Sequence, residues 1–335
     1  MAVSHGSDGF AFGITAGGNY GKGYGNGDET TWRTSHIGDK NSQTVIQSGG
    51  DTTLRGAQVR GKGIRLDTEN LNIESLQDTM SYEGKQMNVS GQVTVGYGFS
   101  GSASYNQSKM NADYASVQEQ SGIFVGDDGY QIDVRKHTDL KGGLITSSAQ
   151  AETEGKNRFE TGTLSYSDIE NHANYSGSAF GAGVQADING GWDGRQVRDE
   201  NDNIMLNPDG SKASRVNQGI GFGYDKESQS SLTKSGINTT NLHIRDEQAQ
   251  LAKTGKTVET TKGEISTSIT TDSAEQHTGK LAQNFDKARL QKELDLQREV
   301  TKNFAPVAAQ GVAWAFLALL LPRLTTCPCL LGCTN

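Results

Sequence analysis

Residues 48–78 read "SGGDTTLRGAQVRGKGIRLDTENLNIESLQD", and their apolar positions Leu54, Val59, Ile64, Leu66, Leu71 and Ile73 fall as short alternating pairs in polar, glycine-punctuated text. Alternation over four to six residues is the period of a half-buried strand, one face inward and one outward. Gly-Gly, Asp-Gly and Asn-Pro-Asp-Gly clusters ("SGGD", "GDDGY", "NPDG") separate the strands as turns.

The pattern is written more than once. Residues 35–59, "SHIGDKNSQTVIQSGGDTTLRGAQV", align without a gap on 121–145, "SGIFVGDDGYQIDVRKHTDLKGGLI", at an offset of 86. Ile37 falls on Ile123, Ile46 on Ile132, Leu54 on Leu140 and Val59 on Ile145. Strand pairs at 69–78 and 161–171, the latter containing Leu164, follow at a looser offset, and a shortened copy begins at 235. Strands with two or three inward side chains each cannot exclude water alone, and stacking them into ladders solves this. The expected class is therefore all-β: a β-solenoid of the parallel β-helix type over residues 1–250, with units near 9–92, 93–178 and 179–250. Its structural ladder is Leu54, Val59, Ile64, Leu66, Leu71, Ile73, Leu140, Ile145 and Leu164.

The totals agree. Of 335 residues 33% are hydrophobic and 7% aromatic, with 43 Gly but only 4 Pro, which suits thin repetitive β structure better than a thick core or proline-rich disorder. The net charge is −8 and the basic residues are scattered, so no nucleic-acid footprint is present. All three cysteines, Cys327, Cys329 and Cys333, lie at the end, leaving the body without disulfides or thiolate metal sites. "MAVSHGSDGF" has no basic segment followed by an apolar one, so no secretory signal is expected in this chain itself.

From residue 251 the text changes. Residues 251–279 read as a polar, Thr-rich junction and 280–304 as an amphipathic helix, with Leu281, Phe285 and Ala288 on one face and Leu290, Leu294 and the Arg289/Glu293 pair at i, i+4 spacing. Residues 305–335 form an apolar, Cys-containing tail. Its unbroken run from Val312 to Leu321 is ten residues, short of the roughly 20 needed to span a bilayer, and it reads first as an out-of-frame or recombined end, ahead of a membrane-associating segment or a buried helix.

No catalytic, cofactor-binding or metal site is expected. "GKGYGNG" (21–27) lacks the strand-to-helix context of a phosphate loop. "DENDN" (199–203) places Ile204 and Gly210 where a calcium loop needs Gly and Glu, and reads as an acidic turn ahead of loose cation binding. His5, His36, His137, His172, His243 and His277 have no partner at metal-ligand spacing, and no G-x-S-x-G elbow occurs. Asp67 and Asp133 are expected on outward strand positions. No small-molecule substrate is implied. What remains is the set of aromatics in glycine-rich surroundings, Tyr97, Phe99, Tyr105, Phe180, Trp192, Phe222 and Tyr224, which either cap the solenoid or form a partner surface.

At "GDTTLRGAQV…NLNIESLQDTMSYEGKQ", and in order through "GYGFSGSASYNQSK", "QSGIFVGDDGYQI", "HTDLKGGLITS" and "TGTLSYSDIEN", the chain resembles the filamentous-haemagglutinin repeats of two-partner-secreted bacterial exoproteins, including haemolysin-like adhesins and contact-dependent growth inhibition effectors. The resemblance covers roughly residues 9–304. It implies a non-enzymatic structural and adhesive segment of a secreted cell-surface virulence protein that mediates cell-cell contact. The implied partners are a dedicated outer-membrane transporter for the full-length relative and the surface or outer membrane of a target cell. The alternative it implies is a segment that helps deliver a C-terminal toxin. "TTDSAEQHTGKLAQNFDKARLQKELDLQREVTKNF" is similar to the region preceding such toxins, but the Val-Glu-Asn-Asn element is absent, so a payload is not expected here and a silent cassette is a further reading. A β-helix polysaccharide-active enzyme would need acidic and basic residues clustered on one face, which the text does not supply. Replacing Leu54 or Ile73 by Asp is expected to cost several kcal/mol, measurable by denaturant unfolding, because each change buries an unpaired charge.

Overall fold

In a computed structural model of the chain, residues 2–6, 9–95, 99–188, 206 and 215–308 are described. Strands β1 (Ala2–Gly6) and β2 (Gly9–Thr30) pair antiparallel and lead into three short strands, β3 (Ser35–Ile37), β4 (Gln43–Gln47) and β5 (Thr52–Arg55). Strand β6 (Ala57–Glu74) lies parallel to all three. The chain leaves through an antiparallel pair, β7 (Gln77–Val95) and β8 (Phe99–Val117), and returns as β9 (Gly122–Lys141), parallel on β6. Then come β10 (Leu144–Thr146), helix α1 (Ala149–Thr153) and β11 (Arg158–Ser167), followed by a second antiparallel excursion, β12 (Ile169–Ile188) and β13 (Arg215–Thr233). Strands β14 (Gly236–Ile237) and β15 (Leu242–Ile244), helices α2 (Glu247–Thr254) and α3 (Val258–Ile265), a 3-10 turn at Ala274–His277 and helix α4 (Lys287–Ala308) complete the order.

The parallel strands stack in three ladders with continuous inward columns. One starts at the exposed Ile37 and runs buried through Val59, Ile123, Ile145 and Ile237. The second runs Ile46, Leu66, Ile132, Phe159, Leu242. The third runs Leu54, Ile73, Leu140, Tyr166. All nine ladder residues named from the sequence are buried in the single cluster these columns form. Each such side chain contributes roughly 2 kcal/mol by leaving water. Ile37 and Ile123, or Val59 and Ile145, share a column, so the 86-residue offset corresponds to two levels of the stack plus one long antiparallel excursion.

Threonine hydroxyls inside the stack pair between levels, whereas the Tyr130 hydroxyl, buried in the same core, has no hydrogen-bond partner among the described residues. Thr52 donates to Thr68 at 2.9 Å, and the hydroxyls of Thr138 and Thr161 meet at 3.0 Å. At the corners between consecutive levels, Gly56 and Gly142 take positive φ (58° and 56°), and a side chain there would strike Leu76 and Ile169. On the outside, Asp67, Asp133 and Glu160 align as an acidic column. Arg135 bridges Asp67 and Glu69, and Arg245 bridges Asp133 and Glu160, so each like-charged neighbour has a cation between levels. The guanidinium groups of Arg245 and Arg158 hold the Glu160 carboxyl below its ordinary range.

The excursions form what alternation alone did not indicate: a six-stranded antiparallel sheet in the order β1-β2-β7-β8-β12-β13, built from the glycine and aromatic stretches. All-β parallel stacking is thus only part of the architecture. Leu290 and Leu294 of α4 pack on this sheet with Met80, Met110, Tyr114, Ala173 and Tyr175. Helix α4 starts at Lys287, later than the residue 280 expected, because Asp286 caps it by accepting from Ala288 and Arg289 N–H at 2.8 and 3.0 Å. Leu281 and Phe285 reach the same apolar cluster from the preceding segment. The Thr-rich stretch expected as a junction carries α3, capped by Thr257, and is preceded by α2, capped by Asp246 and closed by Gly255. Residues 309–335, most of the apolar tail, lie outside the described residues.

Ile132→Asp is expected to lose at least about 3 kcal/mol of stability in denaturant unfolding, whereas Arg135→Ala leaves the midpoint nearly unchanged, because a column residue loses its partners above and below while an exposed ion pair contributes little.

Candidate interaction surface

Strand register divides the antiparallel sheet into two unlike faces. Row by row, Tyr20 stands against Val89, Val89 against Tyr105, Tyr105 against Ala182 and Ala182 against Ile220. The next rows bring Val95 between Ile14 and Phe99, and Phe180 against Phe222. These residues all point to the face away from α4. Ile14 is 71% exposed, Phe222 63% and Tyr224 62%, while Phe99 and Phe180 are exposed to lesser degrees. Tyr105 and Phe180 pack with ring centroids 6.3 Å apart. Of the aromatics singled out from sequence, Phe99, Tyr105, Phe180, Phe222 and Tyr224 are thereby brought to one surface, and Tyr97 and Trp192 lie outside the described residues.

The face toward α4 is composed differently. Away from the stack it carries Thr15, Gly17, Asn19, Asn88, Ser90, Gln92, Ser102, Ser104 and Asn106. Ser90 and Ser104 hydroxyls bond at 2.7 Å. Closer to the stack Tyr175 lies under α4. Burial and the nearby Asp225 carboxylate push its phenol up to about 12. A shallow groove of about 350 Å³ runs beside α4 over Gly21, Gly23, Gly25, Tyr82 and Gln86.

Sequence reasoning named Phe99, Tyr105, Phe180, Phe222 and Tyr224 but neither Tyr20 nor the aliphatic partners Ile14, Val89, Val93, Val95, Val184, Val216 and Ile220 that complete the face. The missing signal was two-residue periodicity carried through glycine, in "VTVGYGFSGSASY" and "GIGFGY", where every second residue is apolar and the intervening ones are small or polar.

His137 Nε2 is 3.0 Å from Ser165 Oγ and its Nδ1 2.7 Å from Thr163 Oγ1, but Asp139 accepts from Ser165 rather than orienting the imidazole. Burial, with Lys253 nearby, lowers the His137 pKa and keeps the ring neutral. Tyr166, Lys256 and Glu264 form a hydrogen-bonded cluster that ties the loop between α2 and α3 to β11. Asp67 and Asp133 sit outward in the ion pairs described above. Residues 199–203 lie outside the described residues. Among the described residues no three His, Cys, Asp or Glu side chains are grouped to hold a metal ion, and no helix is long and apolar enough to cross a membrane.

Residues 1–90 match the haemagglutinin repeat family. The chain is 35% identical over 254 residues to "Toxin CdiA" of Escherichia coli, covering 75% of this chain and 8% of that protein. It is 36% identical over 209 residues to "16S rRNA endonuclease CdiA" of Enterobacter cloacae (59% and 6%) and 40% identical over 192 residues to "Deoxyribonuclease CdiA" of Dickeya dadantii (56% and 6%). No solved structure matches the chain. The chain is a haemagglutinin-repeat segment. More particularly, it belongs to the filamentous-haemagglutinin-like repeat regions of the CdiA kind, and spans less than a tenth of the length of these relatives.

Because the folded Tyr175 pKa lies above its unfolded value, the fold favours the protonated phenol. Its contribution is full below about 10, where the unfolded phenol begins to ionise, and is lost as pH rises toward about 12. Tyr175→Phe is expected to flatten that alkaline loss, as read from denaturant unfolding at a series of pH values.

Proposed function

We propose that this chain is a non-enzymatic scaffold and contact segment of a contact-dependent growth inhibition or haemagglutinin-like exoprotein. In this reading the three parallel ladders form a β-solenoid shaft, and the exposed apolar face of the antiparallel sheet is the surface that meets a target cell. The observation that carries it is the row of Tyr20, Val89, Tyr105 and Ile220 with Ile14, Val95, Phe99, Phe180, Phe222 and Tyr224 on one face. An apolar face of this breadth is far more than scattered surface residues provide and is the mark of a partner or membrane contact.

The toxin-delivery reading is favoured by the opposite face. Strands that alternate apolar residues with Gly, Ser, Asn and Gln over about ten positions have the composition of strands that face lipid on one side and water on the other. On this reading the sheet engages the outer membrane of the target cell, while a longer chain supplies the toxin and is exported through its two-partner-secretion transporter to the cell surface. The local contacts of the stack suit progressive folding outside the pore.

Flotation with vesicles of bacterial outer-membrane lipid tests this function. The chain is expected to float with the vesicles. Ile220→Asp with Phe222→Asp should reduce the floated fraction several-fold while the circular dichroism remains β-dominated, and no loss would overturn the assignment of this face.

A further inference from the structure

The antiparallel sheet ends at β13, whose second edge meets no strand among the described residues. An edge strand presents a row of backbone N–H and C=O groups that would pair with any strand brought alongside. Here α4 occupies the position. Phe222 N–H donates to Thr301 Oγ1 at 2.8 Å and Tyr224 N–H to Gln297 Oε1 at 2.8 Å, while Thr301 Oγ1 donates back to the Phe222 carbonyl at 2.9 Å. Residues 222 and 224 are two apart and direct their N–H groups to the same side, the spacing at which an added strand would place its own acceptors. Side chains of one helix are filling in for a missing neighbour.

The seat for α4 is cut into the sheet by glycine. A Cβ on Gly221 would lie 2.1 Å from the Arg298 carbonyl oxygen, and one on Gly223 2.6 Å from that of Leu294. Helix backbone and strand backbone are therefore almost in contact, with Leu294 as the apolar anchor.

We propose that the free edge of β13 is a strand-docking surface held closed by α4, and that its partner when α4 is displaced is β13 of a second copy of this chain. The edge is self-complementary. An antiparallel pairing centred on Phe222 sets Phe222 against Phe222 of the second copy and Ile220 against its Tyr224. Aromatic and aliphatic cross-strand pairs of this kind stabilise antiparallel sheets. The pairing extends the row in which Phe180 already faces Phe222, and it places Gly221 and Gly223 opposite one another, where no side chain obstructs strand approach. The symmetry is that of an isologous dimer, which closes after one contact.

The test uses the full chain, with reductant to keep the tail cysteines apart, in analytical ultracentrifugation. Leu294→Glu, which removes the anchor, is expected to double the sedimenting mass relative to the parent chain. Adding Phe222→Pro is expected to restore the monomer, because that N–H faces the edge and not β12, so proline removes a docking donor while leaving the β12 ladder intact. Circular dichroism confirms that strand content is retained in both. A monomeric Leu294→Glu chain with intact strands overturns the proposal. So does a dimer that survives Phe222→Pro, which would assign association to the apolar face. A parent chain that already dimerises and is dissociated by Phe222→Pro overturns the closure by α4.

Discussion

No level of the stack can exclude water from its own inward side chains. Val59, Leu66 and Ile73 are buried only because Ile123, Ile132 and Leu140 lie directly on them in the next level. This mutual dependence decides much else: parallel pairing is obligatory, since only the same direction of travel repeats the same face. It also requires each corner to recur in register, and Gly56 and Gly142, 86 residues apart, take up the same backbone conformation at equivalent corners. Threonine hydroxyls inside find partners along the stacking direction, as Thr138 and Thr161 do, while the buried Tyr130 hydroxyl finds none among the described residues.

The second body of the protein hangs on the first through a small hydrogen-bonded knot. Asn171, almost fully buried, accepts from Val117 N–H at 3.0 Å and donates to Thr233 Oγ1 at 2.9 Å, linking the bases of the two antiparallel excursions. Ser75 donates to the Gly142 carbonyl at 2.7 Å and accepts from Ser121 N–H at 2.8 Å, joining the first exit from the stack to the re-entering chain and to the next corner. The excursions therefore leave the stack from a fixed platform, and a sheet with one apolar and one polar face can be built without a thick core of its own.

The columns of the stack were legible in the text because each contributing strand alternates apolar and polar residues within a single turn-bounded segment, as Ile64 to Ile73 do. Turn glycines marked the ends of those segments. The antiparallel sheet was less legible. Away from the stack its α4-facing side is written with glycine, serine and asparagine, which carry no hydrophobic signal, so nothing in "GGNYGKGYGNG" marks Gly21, Gly23 and Gly25 as positions of a long antiparallel strand. Most aromatic members of the candidate surface stood out by type, whereas Tyr20, Val184 and Val216 were recognisable only once their strand neighbours were known. Helix α4 was anticipated by the Leu290 and Leu294 spacing, but its contact with the edge of β13 depends on Gln297 and Thr301, whose polar side chains announce no destination.

One repeat of 86 residues adds two levels to the parallel stack and two strands to the antiparallel sheet that runs beside it. Adjacent strands in either kind of sheet lie about 4.8 Å apart, so both bodies lengthen by about 9.6 Å per repeat. The two lattices are commensurate. An architecture in which stack and sheet grew at different rates would shear at the knots around Ser75 and Asn171 after a few repeats. Across the repeat seen here, stack and sheet advance by the same spacing, so the knots join two bodies that stay in step.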